Sequence, residues 1–132
     1  MGIPKITVIT PCFNEEAALP IFCEVIEQTL LARADAEYHV LLIDDGSNDR
    51  TWDIIRQTCG RSPRYRGLRL SRNFGSHAAA TAGFDIADGD AVAILPVDLQ
   101  DPPETVLEFV ESWKREAGSK RNQPVFFGAP AE

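Results

Sequence analysis

Two short acidic segments of this 132-residue chain have the residue types of a ligand-binding site. Residues 44–47 (DDGS) and residues 98–101 (DLQD) each follow an apolar run. Carboxylates at the end of a buried strand are costly to desolvate unless they have partners. In the first segment they can accept hydrogen bonds from a nucleobase N–H or from ribose hydroxyls, and Gly46 lets the chain turn close to a ligand. In the second, Asp98 can ligate Mg²⁺ or Mn²⁺, and Gln100 can point the same way.

Two further segments add apolar and cationic groups. In residues 10–16 (TPCFNEE), Pro11 and Phe13 offer a flat apolar wall, with a rigid turn that starts a helix as the alternative. Residues 71–77 (SRNFGSH) place a glycine before the start of a predicted helix, an arrangement that binds anions. Arg72 can add charge-assisted contacts to phosphate there, with a surface ion pair as the alternative.

Several polar residues near these segments are interpreted as structural. Asn14, Ser76 and either Asp49 or Ser47 precede predicted helices and are residue types that cap a helix N-terminus. His77 is interpreted as a polar residue of a first helical turn rather than as a catalytic base. These interpretations leave the carboxylates at positions 44, 45 and 98 as the main candidates for chemistry.

The elements that must position these segments alternate between strands and helices. Apolar runs predict strands at residues 5–10, 38–43, 67–70, 91–95 and 125–127. Apolar positions at helical spacing predict helices over residues 15–32, from the turn at 44–50 to Gly60, over residues 77–87 and over residues 104–116. The helix at residues 77–87 is lined by small residues, so it can lie close against a sheet. Pro20 is unfavourable inside the first helix, so its regular part is expected to begin near Leu19.

This alternation predicts an α/β fold, with a mostly parallel sheet flanked by helices and joined by right-handed crossovers. Ligands of such sheets bind beyond the carboxyl ends of the strands, where the strand order reverses. Because all four polar segments follow strands, we expect them at one edge of the sheet. The sequence has neither a GxGxxG motif nor a GxxxxGKS or GxxxxGKT motif, so it lacks the signatures of dinucleotide and P-loop sites.

The overall composition limits the classes of partner. A formal net charge of −7 argues against a broad nucleic-acid surface, which needs a basic face. Cys12, Cys23 and Cys59 show no metal-ligand spacing and are interpreted as reduced, buried thiols. No apolar stretch approaches the ~18 residues of a membrane span, and none has the form of a signal peptide. We therefore expect a cytoplasmic protein, at most peripheral at the inner face of the membrane.

Three of the segments together resemble a known family. Residues 9–16 (ITPCFNEE), 43–47 (IDDGS) and 98–104 (DLQDPPE) look like family 2 glycosyltransferases of GT-A fold. Residues 71–75 (SRNFG) resemble the branch that moves a sugar from UDP or GDP to a polyprenyl phosphate, including dolichol-phosphate mannose synthases and bactoprenol glucosyltransferases. The resemblance covers about residues 5–113 and implies a Rossmann-like nucleotide-binding half.

The resemblance also implies roles for individual residues. It places Asp44 at the base of the nucleotide, and Asp98 and Gln100 at the metal, Mg²⁺ or Mn²⁺, and the diphosphate, with Asp98 as the catalytic residue. The nucleotide-binding residues that it implies are Pro11, Phe13, Glu15, Asp44, Asp45, Gly46, Arg72, Asn73 and Gly75.

The chain departs from the family pattern in two respects. The family usually has an Asp-x-Asp motif where this chain reads Pro96-Val97-Asp98, so the first carboxylate is absent and metal binding should be weaker. Such enzymes also continue past this length with an acceptor-binding half, so we expect this chain to be truncated relative to them. Residues 1–118 are predicted to be the nucleotide-sugar-binding portion, and residues 119–132 a divergent C-terminal tail.

Three functions follow from these observations. The first is transfer of a hexose from a UDP- or GDP-sugar to a polyprenyl phosphate. The second is a catalytically inactive nucleotide-binding remnant that lacks the acceptor half. The third is a receiver-type signalling domain, which is disfavoured because its acidic pair would follow the first strand rather than the second. An open sheet edge and uncovered apolar surface also predict a homo-oligomer.

Overall fold

The structure is a computed structural model that describes residues 2–116 and 126–127. Over this part of the chain, five strands alternate with four helices. The strands are β1 (Lys5–Cys12), β2 (Glu37–Asp44), β3 (Tyr65–Arg69), β4 (Ala91–Ile94) and β5 (Phe126–Phe127), and the helices are α1 (Ala18–Thr29), α2 (Thr51–Arg61), α3 (Ser76–Ile86) and α4 (Glu104–Glu116).

The strands form one sheet in the order β3-β2-β1-β4-β5, and every pairing is parallel. The predicted α/β fold with a parallel sheet is therefore confirmed. Strand order reverses between β1 and β4, which are neighbours in the sheet but far apart in the sequence. Ligands of open parallel sheets bind at such a reversal, beyond the carboxyl ends of the strands.

The central strands are apolar on both faces because both faces are covered. Along β1, Val8 belongs to a buried cluster on one face and Ile9 to a cluster on the other, as the two-residue period of a strand requires. Helices α1, α2 and α4 contribute apolar side chains to the first cluster, and α3 contributes to the second. Near-continuous apolar strands are typical of parallel sheets covered in this way.

Helix α3 lies close to the sheet because its inner face is made of small residues. A Cβ added at Gly83 would lie 2.5 Å from Cδ1 of Ile43 and 2.9 Å from Cγ2 of Ile9. No larger residue fits there without displacing the sheet side chains. The close packing that the sequence predicts for this helix is therefore present.

Two predicted helix caps are wrong. Asn14 does not cap α1, which begins only at Ala18 and has no side-chain cap. Instead Asn14 has a left-handed backbone with φ of +53°, and its Oδ1 accepts a hydrogen bond from the N–H of Asn48 at 2.8 Å. Ser76 is itself the first residue of α3, and Gly75 takes the N-cap position.

Other boundaries differ by a few residues. Pro20 lies in the first turn of α1, where its missing N–H is tolerated, so the prediction of a start near Leu19 is confirmed. The same helix ends at Thr29, earlier than predicted, while α2 continues past Gly60 to Arg61. Most of the predicted tail, residues 119–132, lies outside the described residues. Within it, the strand predicted at residues 125–127 is present as β5.

The cysteines are free thiols, as the sequence predicts, but one of the three is less buried than predicted. Cys12 and Cys23 are buried, Cys59 is partly buried, and all three are free thiols. Burial is the main cause that raises the pKa of each of these thiols above its ordinary value. Among the described helices, none is long and apolar enough to cross a membrane.

Candidate functional site

A cleft of about 670 Å³ opens at the carboxyl edge of the sheet. The loops that follow β1, β2 and β3 border it, as the sequence predicts for three of its four polar segments. Its lining residues are Phe13, Gly46, Ser47, Asn48, Arg69, Leu70, Ser71, Arg72 and Asn73. Phe13 is 41% exposed and presents an apolar ring to this space, while Pro11 is partly buried in β1 beside Ile43 of β2.

Asp44, the last residue of β2, has a fully buried carboxylate next to this cleft. Its Oδ1 accepts a hydrogen bond from the N–H of Ser47 at 3.1 Å. Its Oδ2 is buried and accepts no hydrogen bond within the described part of the chain, although Nε of Arg69 lies 3.5 Å away. That oxygen therefore has an ion-pair partner in Arg69 but no hydrogen bond from a described residue.

Arg69 is a cleft residue that the sequence analysis missed. It ends β3 and is half exposed, with its guanidinium 5.6 Å from the centroid of the Trp52 ring as well as beside Asp44. Alternation along β3 puts Arg69 on the same face as Gly67, but only the register of β3 against β2 places it beside Asp44. Its charge offsets part of the cost of burying Asp44.

Asp45 is 2% exposed, and both of its carboxylate oxygens are occupied. Oδ1 accepts from the N–H of Phe74 at 2.8 Å, and Oδ2 accepts from the N–H of Gly75 at 3.0 Å and from Nδ2 of Asn73 at 3.1 Å. The same Nδ2 donates to the carbonyl of Asp45 at 3.1 Å. The predicted anion-binding site before α3 thus holds an anion from within the chain, the Asp45 carboxylate.

Gly46 allows the loops after β2 and β3 to touch. Its φ is +76°, and a Cβ at this position would lie 2.4 Å from both the carbonyl carbon of Arg72 and the nitrogen of Asn73. Either the backbone conformation or the contact alone would favour glycine. In the structure Gly46 approaches another loop of the site, and the expected approach to a ligand stays a prediction.

The loops after β1 and β2 are joined by side-chain hydrogen bonds. The N–H of Asn14 donates to Oγ of Ser47 at 2.8 Å, and the N–H of Glu15 donates to Oγ1 of Thr51 at 2.8 Å. Asp49 accepts from the N–H of Thr51 at 2.9 Å, which supports its interpretation as a structural residue at the start of α2. The three loops therefore form one connected rim.

Arg72 and Phe74 form the exposed part of the loop after β3. The guanidinium of Arg72 lies over the Phe74 ring, 4.4 Å from its centroid, which is a cation–π contact. Both side chains are exposed, and Arg72 lines the cleft. Of the two alternatives for Arg72, no surface ion pair is present for it among the described residues.

The fourth polar segment follows β4 and is not among the residues that line the cleft. Asp98 and Gln100 are exposed, and Oδ1 of Asp98 accepts from the N–H of Gln100 at 3.2 Å. The pKa of Glu15 is raised above its ordinary value, first by burial and then by the negative charges of Asp98 and Asp49. Asp98 and Glu15, which follow β4 and β1, therefore interact electrostatically at the reversal of strand order.

The described residues contain no group of three or more His, Cys, Asp or Glu side chains arranged to hold a metal ion. The family resemblance predicts a carboxylate at position 96, where this chain has Pro96. The exposed Asp98 beside the desolvated Glu15 still fits a divalent cation that takes most of its oxygen ligands from a diphosphate and water.

Comparison with known proteins gives the family. Residues 7–120 match the sequence profile of glycosyl transferase family 2. The chain is 37% identical over 108 residues to an uncharacterized glycosyltransferase, YkcC, of Bacillus subtilis (strain 168), covering 82% of this chain and 33% of that protein. It is 41% identical over 118 residues to the undecaprenyl-phosphate 4-deoxy-4-formamido-L-arabinose transferase of Aeromonas hydrophila, covering 83% and 34%.

A third relative is the prophage bactoprenol glucosyl transferase homolog of Escherichia coli (strain K12), 39% identical over 110 residues. That match covers 83% of this chain and 36% of the relative. The chain thus spans about a third of the length of the curated relatives it matches.

Solved structures agree on the fold. The mannosyltransferase PcManGT from Pyrobaculum calidifontis, in complex with GDP-Man and Mn²⁺, superposes with a TM-score of 0.69 at 23% identity, covering 84% of this chain and 32% of that chain. S. aureus TarS in complex with UDP-GlcNAc gives a TM-score of 0.69 at 20% identity, covering 84% and 31%. The neighbours have the GT-A fold that the sequence predicts.

The family profile covers most of the chain and includes β1, the loops of the cleft and α4. These matches exclude the receiver-type alternative. The chain belongs to glycosyl transferase family 2.

Proposed function

We propose that this chain forms the nucleotide-sugar-binding part of an enzyme that transfers a hexose from a UDP- or GDP-sugar to a polyprenyl phosphate. The observation that carries the proposal is the buried Asp44 carboxylate, whose Oδ2 accepts no hydrogen bond from a described residue, beside a cleft bordered by three strand-end loops. Relatives named as undecaprenyl-phosphate and bactoprenol transferases support the acceptor class.

The residues around the cleft suit the three parts of a nucleotide. Asp44 accepts a hydrogen bond from a base N–H, and the ring of Phe13 with Pro11 provides an apolar surface for the base. Arg72 donates to phosphate oxygens. Asp45, Gly46, Asn73 and Gly75 belong to the same site because they hold its rim together.

A divalent cation, Mg²⁺ or Mn²⁺, would be held by Asp98 and Gln100, with Glu15 close by. When bound, it would neutralise negative charge on the diphosphate leaving group. Because Pro96 replaces a carboxylate, this chain supplies fewer anionic ligands of its own, and the donor phosphates must supply more. Asp98 is the catalytic residue in this proposal because it holds the charge that faces the leaving group.

The transfer itself needs little acid–base chemistry from the chain. An oxygen of the acceptor phosphate forms a bond to the anomeric carbon of the sugar as the bond from that carbon to the diphosphate oxygen breaks. The electron pair leaves with the nucleoside diphosphate. A phosphate acceptor is already anionic, so no general base is required, and the work of the chain is to orient the donor.

Turnover tests this proposal. The chain is incubated with UDP-glucose or GDP-mannose, a polyprenyl phosphate and Mn²⁺, and the released nucleoside diphosphate and lipid-linked hexose are measured. Asp53→Asn on α2 is the control, because that exposed carboxylate lies outside the cleft. Release that requires both substrates supports transfer. Absence of both binding and release, with either donor, contradicts it.

The second candidate is a nucleotide-binding module without transfer activity. The observation that favours it is Pro96, together with the lack of a three-carboxylate group among the described residues. Donor binding that is unaffected by Mg²⁺ or Mn²⁺, with no hexose transferred, would support this alternative over the first.

The cellular location follows from the proposed acceptor. A polyprenyl phosphate lies in a membrane, so we propose that the chain works as a peripheral protein at the inner face of the membrane.

Self-association also remains a prediction, because β3 leaves an edge of the sheet open. Light scattering at high protein concentration tests it, and a monomer mass would contradict it.

A further inference from the structure

We propose that Asp45 is a positioning residue, which acts on the donor only through Arg72 and does not itself touch the nucleotide. The inference rests on the proposed function, because it concerns the same nucleotide site. It differs from the role that the family resemblance implies, in which Asp45 is one of the nucleotide-binding residues. The geometry of the loop at residues 72–75 carries the inference.

Both oxygens of the Asp45 carboxylate accept hydrogen bonds from the loop at residues 72–75. The carboxylate receives three hydrogen bonds, from the N–H groups of Phe74 and Gly75 and from Nδ2 of Asn73. Both oxygens are therefore engaged by the loop, and three of the roughly four acceptor positions of the carboxylate are filled. Asp44 differs in this respect, because its Oδ2 accepts no hydrogen bond from a described residue.

The fixed loop determines where Arg72 lies. Phe74 is anchored through its N–H to Asp45, and its ring carries the Arg72 guanidinium at 4.4 Å. On the other side, the Arg72–Asn73 peptide packs against Gly46. Asp45 and Gly46 are consecutive, so a single turn after β2 holds the loop from two directions. Because these contacts already hold the Arg72 guanidinium in place, it loses little further conformational entropy when it donates hydrogen bonds to a phosphate.

The position of the carboxylate at the start of α3 strengthens this coupling. Gly75 is the N-cap residue of α3, and its N–H donates to Asp45. A negative charge at a helix N-terminus is stabilising. An external phosphate that bound the N–H groups of Phe74 and Gly75 would have to displace the Asp45 carboxylate. We therefore assign phosphate recognition to Arg72 rather than to the N-terminus of α3.

Nucleotide titrations of Asp45→Asn test the inference. An amide has one acceptor oxygen where the carboxylate has two, so at least one of the bonds to Phe74 and Gly75 is lost. UDP and GDP should bind about tenfold more weakly, which is the effect of losing one charge-assisted contact. Uridine and guanosine should bind about as well as to the wild type, because they have no phosphate for Arg72 to hold.

A double-mutant cycle and amide exchange make the test specific. In an Arg72→Ala background, Asp45→Asn should have no further effect on UDP or GDP affinity. Hydrogen exchange at the amides of Phe74 and Gly75 should be faster in Asp45→Asn. Asp53→Asn, the matched control, should change neither nucleotide affinity nor the exchange of these amides.

The outcomes separate this inference from the proposed function. Weaker nucleoside binding in Asp45→Asn, or an undiminished effect in the Arg72→Ala background, would overturn the inference and make Asp45 a direct ligand. A wild-type chain that binds neither UDP nor GDP would overturn the proposed function itself. If Asp45→Asn does not fold, Asn73→Ala removes two hydrogen bonds and keeps the carboxylate. Asn73→Ala should also weaken UDP and GDP binding, by a smaller factor, and leave nucleoside binding unchanged. Weaker nucleoside binding in this variant would again overturn the inference.

Discussion

Gly46 lies in direct backbone contact with Arg72, so that a Cβ at position 46 would be 2.4 Å from the Arg72 carbonyl carbon. The contact joins the loop after β2 to the loop after β3, and both loops line the cleft. It explains why a glycine occupies the third position of the Asp-Asp-Gly-Ser turn that follows β2. The glycine is needed for packing between loops as well as for its φ of +76°.

Gly46→Ala should therefore destabilise the chain by about 1–3 kcal/mol, because it combines a left-handed backbone with a backbone clash. Urea denaturation measures the loss, and nucleotide affinity should fall with it. Gly60→Ala is the matched control. Gly60 lies in α2 with nothing within 4 Å of its added Cβ, so this substitution should stabilise by about 0.5–1 kcal/mol. Equal effects at the two positions would contradict the account.

Asp44→Asn should weaken the binding of nucleosides and nucleoside diphosphates alike, by about 10- to 100-fold, because a hydrogen bond to a charged acceptor is lost. An asparagine oxygen can still accept from Ser47, so the fold should persist. Calorimetric titration of UDP and GDP, with Asp53→Asn as control, measures the change. Unaltered affinity for every ligand would show that Asp44 does not contact the base.

Arg72→Ala should weaken UDP or GDP binding by about tenfold and leave nucleoside binding nearly unchanged. The loss should shrink at high salt, because Arg72 is exposed and its charge is screened. Arg56→Ala, at an exposed position of α2, removes the same charge away from the cleft and is the control. Equal losses from both variants would mean that only net charge matters.

Pro96→Asp should raise the affinity for Mn²⁺ in the presence of UDP or GDP by about tenfold, since one more carboxylate joins Asp98. Electron paramagnetic resonance of free Mn²⁺ measures this affinity directly. The double variant with Asp98→Asn is the control and should lose the gain. An unchanged Mn²⁺ affinity in Pro96→Asp would place Asp98 away from the metal.

Glu15→Gln should change the pH dependence of stability. The pKa of Glu15 is raised, with burial as the largest cause and Asp98 as the next. Its contribution to stability is therefore present below its ordinary pKa and lost as pH rises through the raised value. At pH 7 the variant should be more stable by a few tenths of a kcal/mol, and near pH 4 the difference should vanish.

Thermal unfolding from pH 4 to pH 8 measures this difference. Because Asp98 is one cause of the raised pKa, the effect should be smaller in an Asp98→Asn background. A difference that does not vary with pH would contradict a raised pKa for Glu15, and an equal effect in the Asp98→Asn background would show that Asp98 is not one of its causes.

The sequence predicts the sheet well because its signals are local. The β-branched run of β1 and the apolar run of β4 mark buried strands without reference to the rest of the chain. Pro20 likewise marks the start of α1 because its effect on the backbone is local. The small residues of α3 likewise predict correctly that this helix packs close to the sheet.

The site was harder to predict because its hydrogen bonds cross between loops. Asn14 has the residue type of a helix cap, but it bonds to Asn48, which is 34 residues away in the sequence. Asp45 has the residue type of a ligand contact, but its partners are Phe74 and Gly75. Such pairings depend on the register of the strands, which no local pattern contains. Arg69 was missed for the same reason, because only the folded edge strand places it beside Asp44.

Mapping of nucleotide-induced shifts in the ¹H–¹⁵N spectrum of the chain tests the central claim most directly. Titration with UDP and with GDP should shift the amides of the cleft, above all those of Gly46, Ser47, Arg72 and Asn73, for at least one of the two nucleotides. No shifts with either nucleotide, or shifts confined to the groove between α1 and α2, would contradict a nucleotide site at the carboxyl edge of the sheet.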